Sequence, residues 1–235
     1  MKTYKVLIFD ADHTVIDYTK DERAALKKIL PPLGIEVTEE VLDICNQISL
    51  DAWVGAGLNE VHTEYIQREY HNLYHIHVRN IFEGIFKRFP CKQDPQTVGN
   101  VFAKLLESPA VLCDGAEEVL KTLSKKYTLC IATNGMTEMQ YGRLSKIAKY
   151  FKRLYISEEM SVIKPLPAFF DRILEDLKVE KRDCLMIGDS LSSDIRGANI
   201  SGIDSCWLNK RGDKKLEGVT PTYEIKTLKE LLTIV

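Results

Sequence analysis

The sequence predicts an α/β protein in which a parallel β-sheet, covered by helices on both faces, carries an inserted helical bundle. Short apolar runs of strand-forming residues alternate with amphipathic helical patterns in the second half of the 235-residue chain, as is typical of parallel sheets. Between the first such run and the later ones lies a stretch with helical patterns and no convincing strand. We therefore predict a core formed by residues 1–16 and 109–235, with residues 17–108 inserted into it as a helical cap.

The predicted sheet begins close to the amino terminus. Residues 4–9, Tyr-Lys-Val-Leu-Ile-Phe, form a short run that suits a buried strand. Similar runs recur later, and most are separated by segments with apolar residues at three- and four-residue spacing. The later strands are predicted at 127–132, 154–156, 184–187 and 205–208, and the helices at 115–126, 136–149, 168–178 and 191–201. Residues 222–235 are expected to add a last short strand and a helix that serves packing alone.

The inserted stretch has the pattern of four amphipathic helices. Thr38, followed by Glu39 and Glu40, has the residue types of a helix start. Four helices without a strand indicate a small bundle. The helices are predicted at 21–33, 38–54, 60–89 and 95–107.

Composition places the chain among ordinary globular proteins. Hydrophobic residues make up 45% and charged residues 28%, which excludes collagen-like and disordered classes. The formal net charge of -2 provides no overall attraction to a nucleic-acid polymer or an anionic membrane, so we expect neither as a partner. Whether the chain is a monomer or a homodimer stays open.

An aspartate directly follows the apolar run Val6–Phe9, and the run is too short for a signal peptide or a membrane span. We therefore expect a cytoplasmic protein. Its six cysteines include no C-x-x-C pair, and we interpret them as reduced and structural.

Polar residues follow three of the predicted strands. In open parallel sheets, ligands bind beyond the carboxyl ends of the strands, near the point where strand order reverses. The residues that follow the strands are therefore the candidates for a site. They are Asp10, Asp12 and Thr14 after the first strand, Thr133 and Asn134 after the second, and Asp189 and Asp194 after the fourth, with Lys164 before a helix.

The candidate aspartates indicate a divalent cation. Carboxylates that converge from separate strands repel one another and lose hydration, so a hard cation between them is favourable. Mg²⁺ suits this setting, since it prefers oxygen ligands and retains waters and a substrate phosphate. We expect Asp10, Asp189 and one backbone carbonyl, that of Asp12, to bind Mg²⁺. The alternative, that each aspartate only caps a turn or helix, explains single residues better than it explains the whole set.

The two aspartates of the first strand end suit covalent phosphate chemistry. A carboxylate that attacks phosphorus forms an aspartyl-phosphate and divides one difficult hydrolysis into two easier steps. We expect Asp10 to be this nucleophile. An alkoxide leaving group needs a proton, and the same residue can then activate water. Asp12, two residues farther on, is expected to serve as this acid and base.

The remaining candidates are expected to hold phosphate and to balance charge. Thr133 and Asn134 are predicted to bind the phosphoryl oxygens, and Lys164 to offset the charge of the transferring group. Asp194 is predicted to orient Lys164 or a metal-bound water. Simple helix capping is the competing explanation for Asp194.

Four motifs together resemble those of the haloacid dehalogenase superfamily, in order and at reasonable spacing over the whole chain. The motifs are Asp10-x-Asp12-x-Thr14-Val15, Thr133-Asn134-Gly135, Lys164-Pro165 and Gly188-Asp189-Ser190-x-x-x-Asp194. This resemblance implies a Rossmann-like core, a helical cap inserted after the first motif, and aspartyl-phosphate chemistry with Mg²⁺. The implied partner is a small phosphorylated metabolite.

Further details resemble the pyrimidine 5'-nucleotidase branch of that superfamily, which implies nucleoside 5'-monophosphates such as UMP, dUMP or dTMP as substrates. The segments that carry this resemblance are 9–12, 131–135, 188–195, 202–204 and 206–209. The chain departs from the commonest first motif by carrying His13 where glycine is usual. We expect His13 to fill the turn, although contact with the site is the alternative.

Other reactions of the superfamily fit the sequence less well. Dehalogenases lack the second aspartate of the first motif, so Asp12 argues against them. A sugar-phosphate phosphatase or a phosphohexomutase remains an alternative, although related mutases usually carry two acidic residues at the positions of Gly188 and Asp189. A phospho-signalling module with a long-lived aspartyl-phosphate is the alternative from another class, and both Asp12 and the inserted helices favour turnover over it.

Substrate choice is expected to lie in the cap, which closes over the parts of the substrate other than phosphate. The cap aromatics that could stack on a base are Trp53, Tyr65, Tyr70 and Tyr74. We interpret them as bundle core, because aromatic residues at helical spacing usually pack inside. The cap histidines, interpreted as surface or satisfied residues, are His62, His71, His75 and His77.

Overall fold

The computed structural model describes residues 3–235 and contains one six-stranded sheet in which every neighbouring pair of strands is parallel. The strand order is β3-β2-β1-β4-β5-β6, so the chain first adds strands on one side of β1 and then crosses to the other. The strands are β1 (Val6–Phe9), β2 (Thr128–Thr133), β3 (Arg153–Ile156), β4 (Cys184–Gly188), β5 (Asp204–Leu208) and β6 (Tyr223–Ile225).

Ten α-helices accompany the sheet within the described residues, and five of them lie between β1 and β2. The helices are α1 (Tyr18–Ile29), α2 (Glu39–Gly55), α3 (Glu64–Arg88), α4 (Pro95–Leu106), α5 (Ala116–Leu123), α6 (Thr137–Leu144), α7 (Ser157–Met160), α8 (Pro167–Leu177), α9 (Arg196–Ser201) and α10 (Leu231–Ile234). A π-helical turn at Leu191–Ile195 leads into α9. None of the helices of residues 3–235 has the length and hydrophobicity that crossing a membrane would need.

The alternation of side chains along β1 explains why the sheet is buried on both faces. Leu7 and Phe9 point into one apolar cluster and Val6 and Ile8 into another, and all four residues are buried. Helices cover both clusters, as the continuous apolar runs of the sequence predicted.

The helices α1–α4 pack on one another around their own apolar core. Thr38 caps the amino terminus of α2. Its side chain accepts a hydrogen bond from the Val41 amide, as the predicted helix start required. The core of this bundle includes Phe82 and Phe102, whose ring centroids lie 5.5 Å apart. The prediction of a parallel-sheet core with an inserted helical cap is therefore confirmed.

The chain enters and leaves this bundle along two adjacent segments. The Asp17 amide donates to the Val111 carbonyl at 2.8 Å, and the Cys113 amide donates to the Val15 carbonyl at 3.0 Å. At another contact, between the end of α4 and α6, a Cβ on Gly142 would lie 1.9 Å from the Glu107 carbonyl oxygen, so only glycine permits this approach. The exact domain boundaries, at residues 16/17 and 108/109, stay a prediction.

Candidate active site

The carboxyl ends of β1, β2 and β4 meet at one edge of the sheet, where the strand order reverses. The Asp10 amide donates to the Ile187 carbonyl of β4 at 2.8 Å, which fixes the first strand end beside the fourth. A cavity of about 910 Å³ opens at this edge. The predicted site residues that line it are Asp10, Asp12, Thr133, Asn134, Lys164 and Asp189, whereas Asp194 is fully buried beside them.

Lys164 is the charged centre of this edge. Its side chain is 1% exposed, and its Nζ donates at 2.6 Å to Asp10 Oδ1, to Asp194 Oδ1 and to the Ala132 carbonyl. Burial lowers the pKa of Lys164, but the two carboxylates outweigh that effect and raise it above the ordinary value. Lys164 is therefore a cation held in a fixed position.

Negative charge is concentrated around that cation. Carboxylate oxygens of Asp10, Asp189 and Asp194 lie within 4.8 Å of one another. Burial raises the pKa of Asp10 well above its usual range, and the charges of Asp194 and Asp189 add to this effect, although Lys164 opposes it. Burial and Asp194 likewise raise the pKa of Asp189 to about 6. One lysine thus leaves part of the negative charge uncompensated, and the hard oxygen donors present would suit a divalent cation.

Asp194 faces Lys164 and the strand end. Its Oδ1 accepts from Lys164, and its Oδ2 accepts from the Ser190 amide at 3.1 Å. A Cβ on Gly188 would lie 2.1 Å from Asp194 Oδ2, so the approach of this carboxylate to β4 requires glycine there. Asp194 therefore contacts Lys164 directly, and its role in orienting this lysine stays a prediction.

Asn134 and Thr133 have different surroundings. The Asn134 side chain donates to the Lys164 carbonyl at 2.9 Å and accepts from the Lys164 amide at 2.8 Å, so it holds the backbone of Lys164. Thr133 Oγ1 accepts from Gln140 Nε2 at 3.0 Å and lines the cavity. The binding of phosphate by these two residues stays a prediction.

Two residues of α6 hold Asp12, and the sequence motifs did not reveal them. Gln140 Nε2 donates to Asp12 Oδ2 at 2.8 Å, and Arg143 Nη1 donates to Asp12 Oδ1 at 2.5 Å. Arg143 Nη2 also donates to Asp21 in α1, at 2.9 Å. Burial raises the pKa of Asp12, but Arg143, His13 and Gln140 together lower it below its ordinary value.

A signal for these two residues was present in the helix pattern. Gln140 and Arg143 share the buried face of α6 with Met139 and Leu144, so two polar side chains stand where apolar ones are expected. Both are at most 2% exposed. Buried polar residues on an amphipathic helix need partners, and here the partners belong to the site.

His13 lies in a left-handed turn with a φ of 57°, where glycine is the usual residue. Its carbonyl accepts from Lys210 Nζ at 2.6 Å. The side chain also lines the cavity, so it is near the site as well as in the turn.

The cap supplies the other wall of the cavity. Trp53, Tyr70, Tyr74 and His77 line it, whereas Tyr65 is 56% exposed. The expectation that His77 is a surface or satisfied residue was wrong. It is 2% exposed, and its Nδ1 has no hydrogen-bond partner.

The parallel sheet, the inserted helical cap and the buried aspartates with their lysine together define a capped α/β hydrolase. The family profile of haloacid dehalogenase-like hydrolases matches residues 4–202. The chain belongs to this family.

Individual relatives cover nearly the whole chain. The chain is 29% identical to the HAD-hydrolase YfnB of Bacillus subtilis, over 100% of this chain and 96% of YfnB. It is 30% identical to the pyrimidine 5'-nucleotidase PynA of Streptococcus pneumoniae, over 97% and 94% of the two chains. A crystal structure of YfnB bound to magnesium superposes with a TM-score of 0.85, covering 99% of each chain at 29% identity.

Proposed function

We propose that this hydrolase cleaves phosphate monoesters of nucleosides through an aspartyl-phosphate on Asp10, with Mg²⁺ as cofactor. The observation that carries the proposal is the position of Asp10. Its carboxylate lies at the carboxyl edge of the sheet, 2.6 Å from a buried lysine and within a cluster of three carboxylates that faces a large cavity. A nucleophile needs this combination of fixed position, access to substrate and nearby positive charge.

The carboxylates of Asp10 and Asp189, with the Asp12 carbonyl, would hold the magnesium ion. The fit rests on their uncompensated negative charge and on their hard oxygen donors. When bound, the ion offsets the charge of the phosphate and of the attacking carboxylate. The magnesium-bound structure of the relative YfnB supports this assignment.

The reaction then has two displacements at phosphorus. In the first, a carboxylate oxygen of Asp10 forms a bond to phosphorus, the bond to the ester oxygen breaks, and Asp12 gives its proton to the departing alkoxide. In the second, Asp12 takes a proton from water, whose oxygen bonds to phosphorus while the aspartyl bond breaks. Inorganic phosphate leaves, and Asp10 is restored. Thr133 and Lys164 hold the phosphoryl oxygens throughout.

The contacts of Asp12 in this structure suit one of its two proposed roles. Held by Arg143 and Gln140, Asp12 is a carboxylate, which is the form needed to accept a proton from water. Donating a proton in the first step requires that the Arg143 contact loosen. Because Asp21 in α1 shares the same guanidinium, we propose that movement of the cap, residues 17–108, governs this contact.

The substrate assignment to nucleoside monophosphates draws on relatives and on the cavity. PynA and the Escherichia coli protein YjjG, which is 28% identical over 96% of this chain, are pyrimidine 5'-nucleotidases. A cavity of about 910 Å³ has room for a base and a sugar beyond the phosphate, and aromatic side chains line its cap wall.

Phosphate release from a substrate panel tests the proposal. We expect turnover of UMP, CMP and dTMP with Mg²⁺, slower turnover of ribose 5-phosphate and p-nitrophenyl phosphate, and loss of all activity in a chelator. Faster turnover of sugar phosphates than of nucleotides would still support the phosphatase chemistry but would refute the assignment of nucleotides as substrates. A phosphoprotein that persists for minutes without turnover would refute the hydrolase chemistry and favour a signalling role.

A further inference from the structure

The cap wall of the cavity contains two buried acceptor atoms without partners. Glu22 in α1 is 4% exposed, and its Oε1 has no hydrogen-bond partner. His77 in α3 is 2% exposed, and its Nδ1 has none either. Both residues line the cavity. Folded proteins seldom leave buried polar atoms unpaired, so a ligand in the cavity is the natural source of the missing donors.

Neighbouring residues occupy other polar atoms of both side chains. Asn46 Nδ2 donates to Glu22 Oε2 at 2.5 Å, and Ser49 also hydrogen-bonds to this carboxyl group. Burial raises the pKa of Glu22, and these two hydrogen bonds oppose that effect. The His77 ring bonds to the Ala52 backbone, and a neutral ring that donates there through Nε2 presents a lone pair at Nδ1. Burial lowers the pKa of His77 to about 4, which keeps the ring neutral at physiological pH. The ligand must therefore provide N–H or O–H donors.

The surroundings of His77 are aromatic. The centroid of the Trp53 ring lies 5.3 Å from that of His77, and the Tyr74 centroid lies 5.9 Å from it. The ring centroids of Tyr70 and Trp53 lie 6.3 Å apart, and the two rings are arranged edge to face. Aromatic walls with a few acceptors suit a flat ring that carries N–H groups better than they suit a sugar, whose hydroxyls would each need a polar partner.

We propose that Glu22 and His77 determine specificity by accepting hydrogen bonds from the two amino N–H groups of a cytosine base, while the phosphate of the same molecule lies at Lys164. Uracil and thymine nucleotides offer a single base N–H and can satisfy only one of the two atoms. This inference rests on the proposed function and extends it to the residues that recognise the base. Glu22 belongs to α1 and His77 to α3, so binding of a base joins two cap helices across the cavity.

Substitution of Glu22 tests the inference most sharply. In Glu22→Gln, Asn46 continues to donate to the side-chain oxygen, so the amide nitrogen takes the position of Oε1 and presents a donor in place of an acceptor. We expect the ratio of kcat/KM for CMP to kcat/KM for ribose 5-phosphate to fall about tenfold, the effect of losing roughly one hydrogen bond. His77→Phe, which retains a ring without the acceptor, should lower the same ratio. Glu64→Gln changes an exposed cap glutamate outside the cavity and should leave the ratio unchanged.

Inhibition by unphosphorylated nucleosides provides a second readout. Cytidine should compete with substrate in the wild type, and its inhibition constant should rise about tenfold in both variants, while inhibition by inorganic phosphate changes less. An unchanged ratio, or equal losses for nucleotides and ribose 5-phosphate, would overturn the assignment of these residues. Absence of all phosphatase activity in the wild type would instead refute the proposed function.

Discussion

Arg143 Nη1 lies 2.5 Å from Asp12 Oδ1, and the same guanidinium reaches Asp21 of the cap at 2.9 Å. A side chain of the sheet domain thus joins the proposed acid and base to the first cap helix. Arg143 is 1% exposed, so water screens these contacts little. Its Nε has no hydrogen-bond partner, and the guanidinium lies 5.1 Å from the centroid of the Tyr18 ring.

Removal of the Arg143 charge should shift the pH dependence of turnover. Arg143 stabilises the charged form of Asp12, so Arg143→Gln favours the protonated form and raises the pKa of Asp12. We expect the limb of the pH–kcat profile that reports Asp12 to move to higher pH by about 1–3 units. Arg143→Lys retains the charge and should shift the profile less. A profile of Arg143→Gln that superposes on the wild type would show that this contact does not tune Asp12.

Asp10→Asn should abolish turnover and preserve the fold. The amide has the size of the carboxylate but cannot form the covalent intermediate, so we expect phosphate release to fall by at least about 10³-fold. Circular dichroism and a thermal melt check the fold. Retention of more than about a few per cent of wild-type activity, against that expected loss, would remove Asp10 from the nucleophile role.

Lys164→Met should impair both rate and stability. Without the ammonium group, Asp10 and Asp194 face each other in a buried site, and we expect a loss of about 3–5 kcal/mol in the free energy of unfolding. Loss of charge stabilisation in the transition state should lower kcat by about 10²–10³-fold. Urea unfolding and steady-state kinetics measure the two effects, and Lys146→Met at an exposed position is the matched control. Near-normal kinetics would show that Lys164 does not contact the phosphoryl group.

Magnesium should raise the melting temperature even without substrate. An ion that binds only the folded state stabilises it by about 2.7 kcal/mol at a hundred times its Kd. We expect this shift to disappear in a chelator and in Asp189→Asn, which loses a proposed ligand. Asp171→Asn, on the exposed surface of α8, should respond to magnesium as the wild type does. If magnesium raised the melting temperature of Asp189→Asn as much as that of the wild type, the ion would bind at a site without Asp189.

His77 should make stability depend on mildly acidic pH. Burial lowers its pKa from the ordinary value of 6.5 to about 4, so between these values the unfolded chain binds a proton that the folded chain does not. The contribution of the neutral ring is present above pH 6.5 and is lost as the pH falls towards 4, by up to roughly 3 kcal/mol in total. Denaturant unfolding of the wild type and of His77→Gln between pH 4 and 7 measures the difference. If the free energies of unfolding of the wild type and of His77→Gln changed with pH in the same way, this prediction would be contradicted.

The prediction from sequence succeeded where the signal is local or periodic. The apolar run at Val6–Phe9 and the later runs became parallel strands because buried strands must be apolar on both faces. The turns at their carboxyl ends then placed Asp10, Thr133 and Asp189 at one edge, which follows from the geometry of any parallel sheet. The bounds of the helices shifted by a few residues, and the cap helix predicted at 60–89 begins at Glu64, after the capping residue Thr63.

The sequence by itself determined the fold class, the inserted cap and the set of strand-end residues, because periodicity and residue type encode burial and turn geometry. Only the tertiary structure decided which partners these residues meet. Arg143 is 131 residues from Asp12 along the chain, and the helix pattern indicates that Arg143 is buried without indicating what it faces. Glu22 and His77 likewise came to line the same cavity only when α1 and α3 packed beside it. Such contacts arise from the packing of whole elements, and no local pattern specifies them.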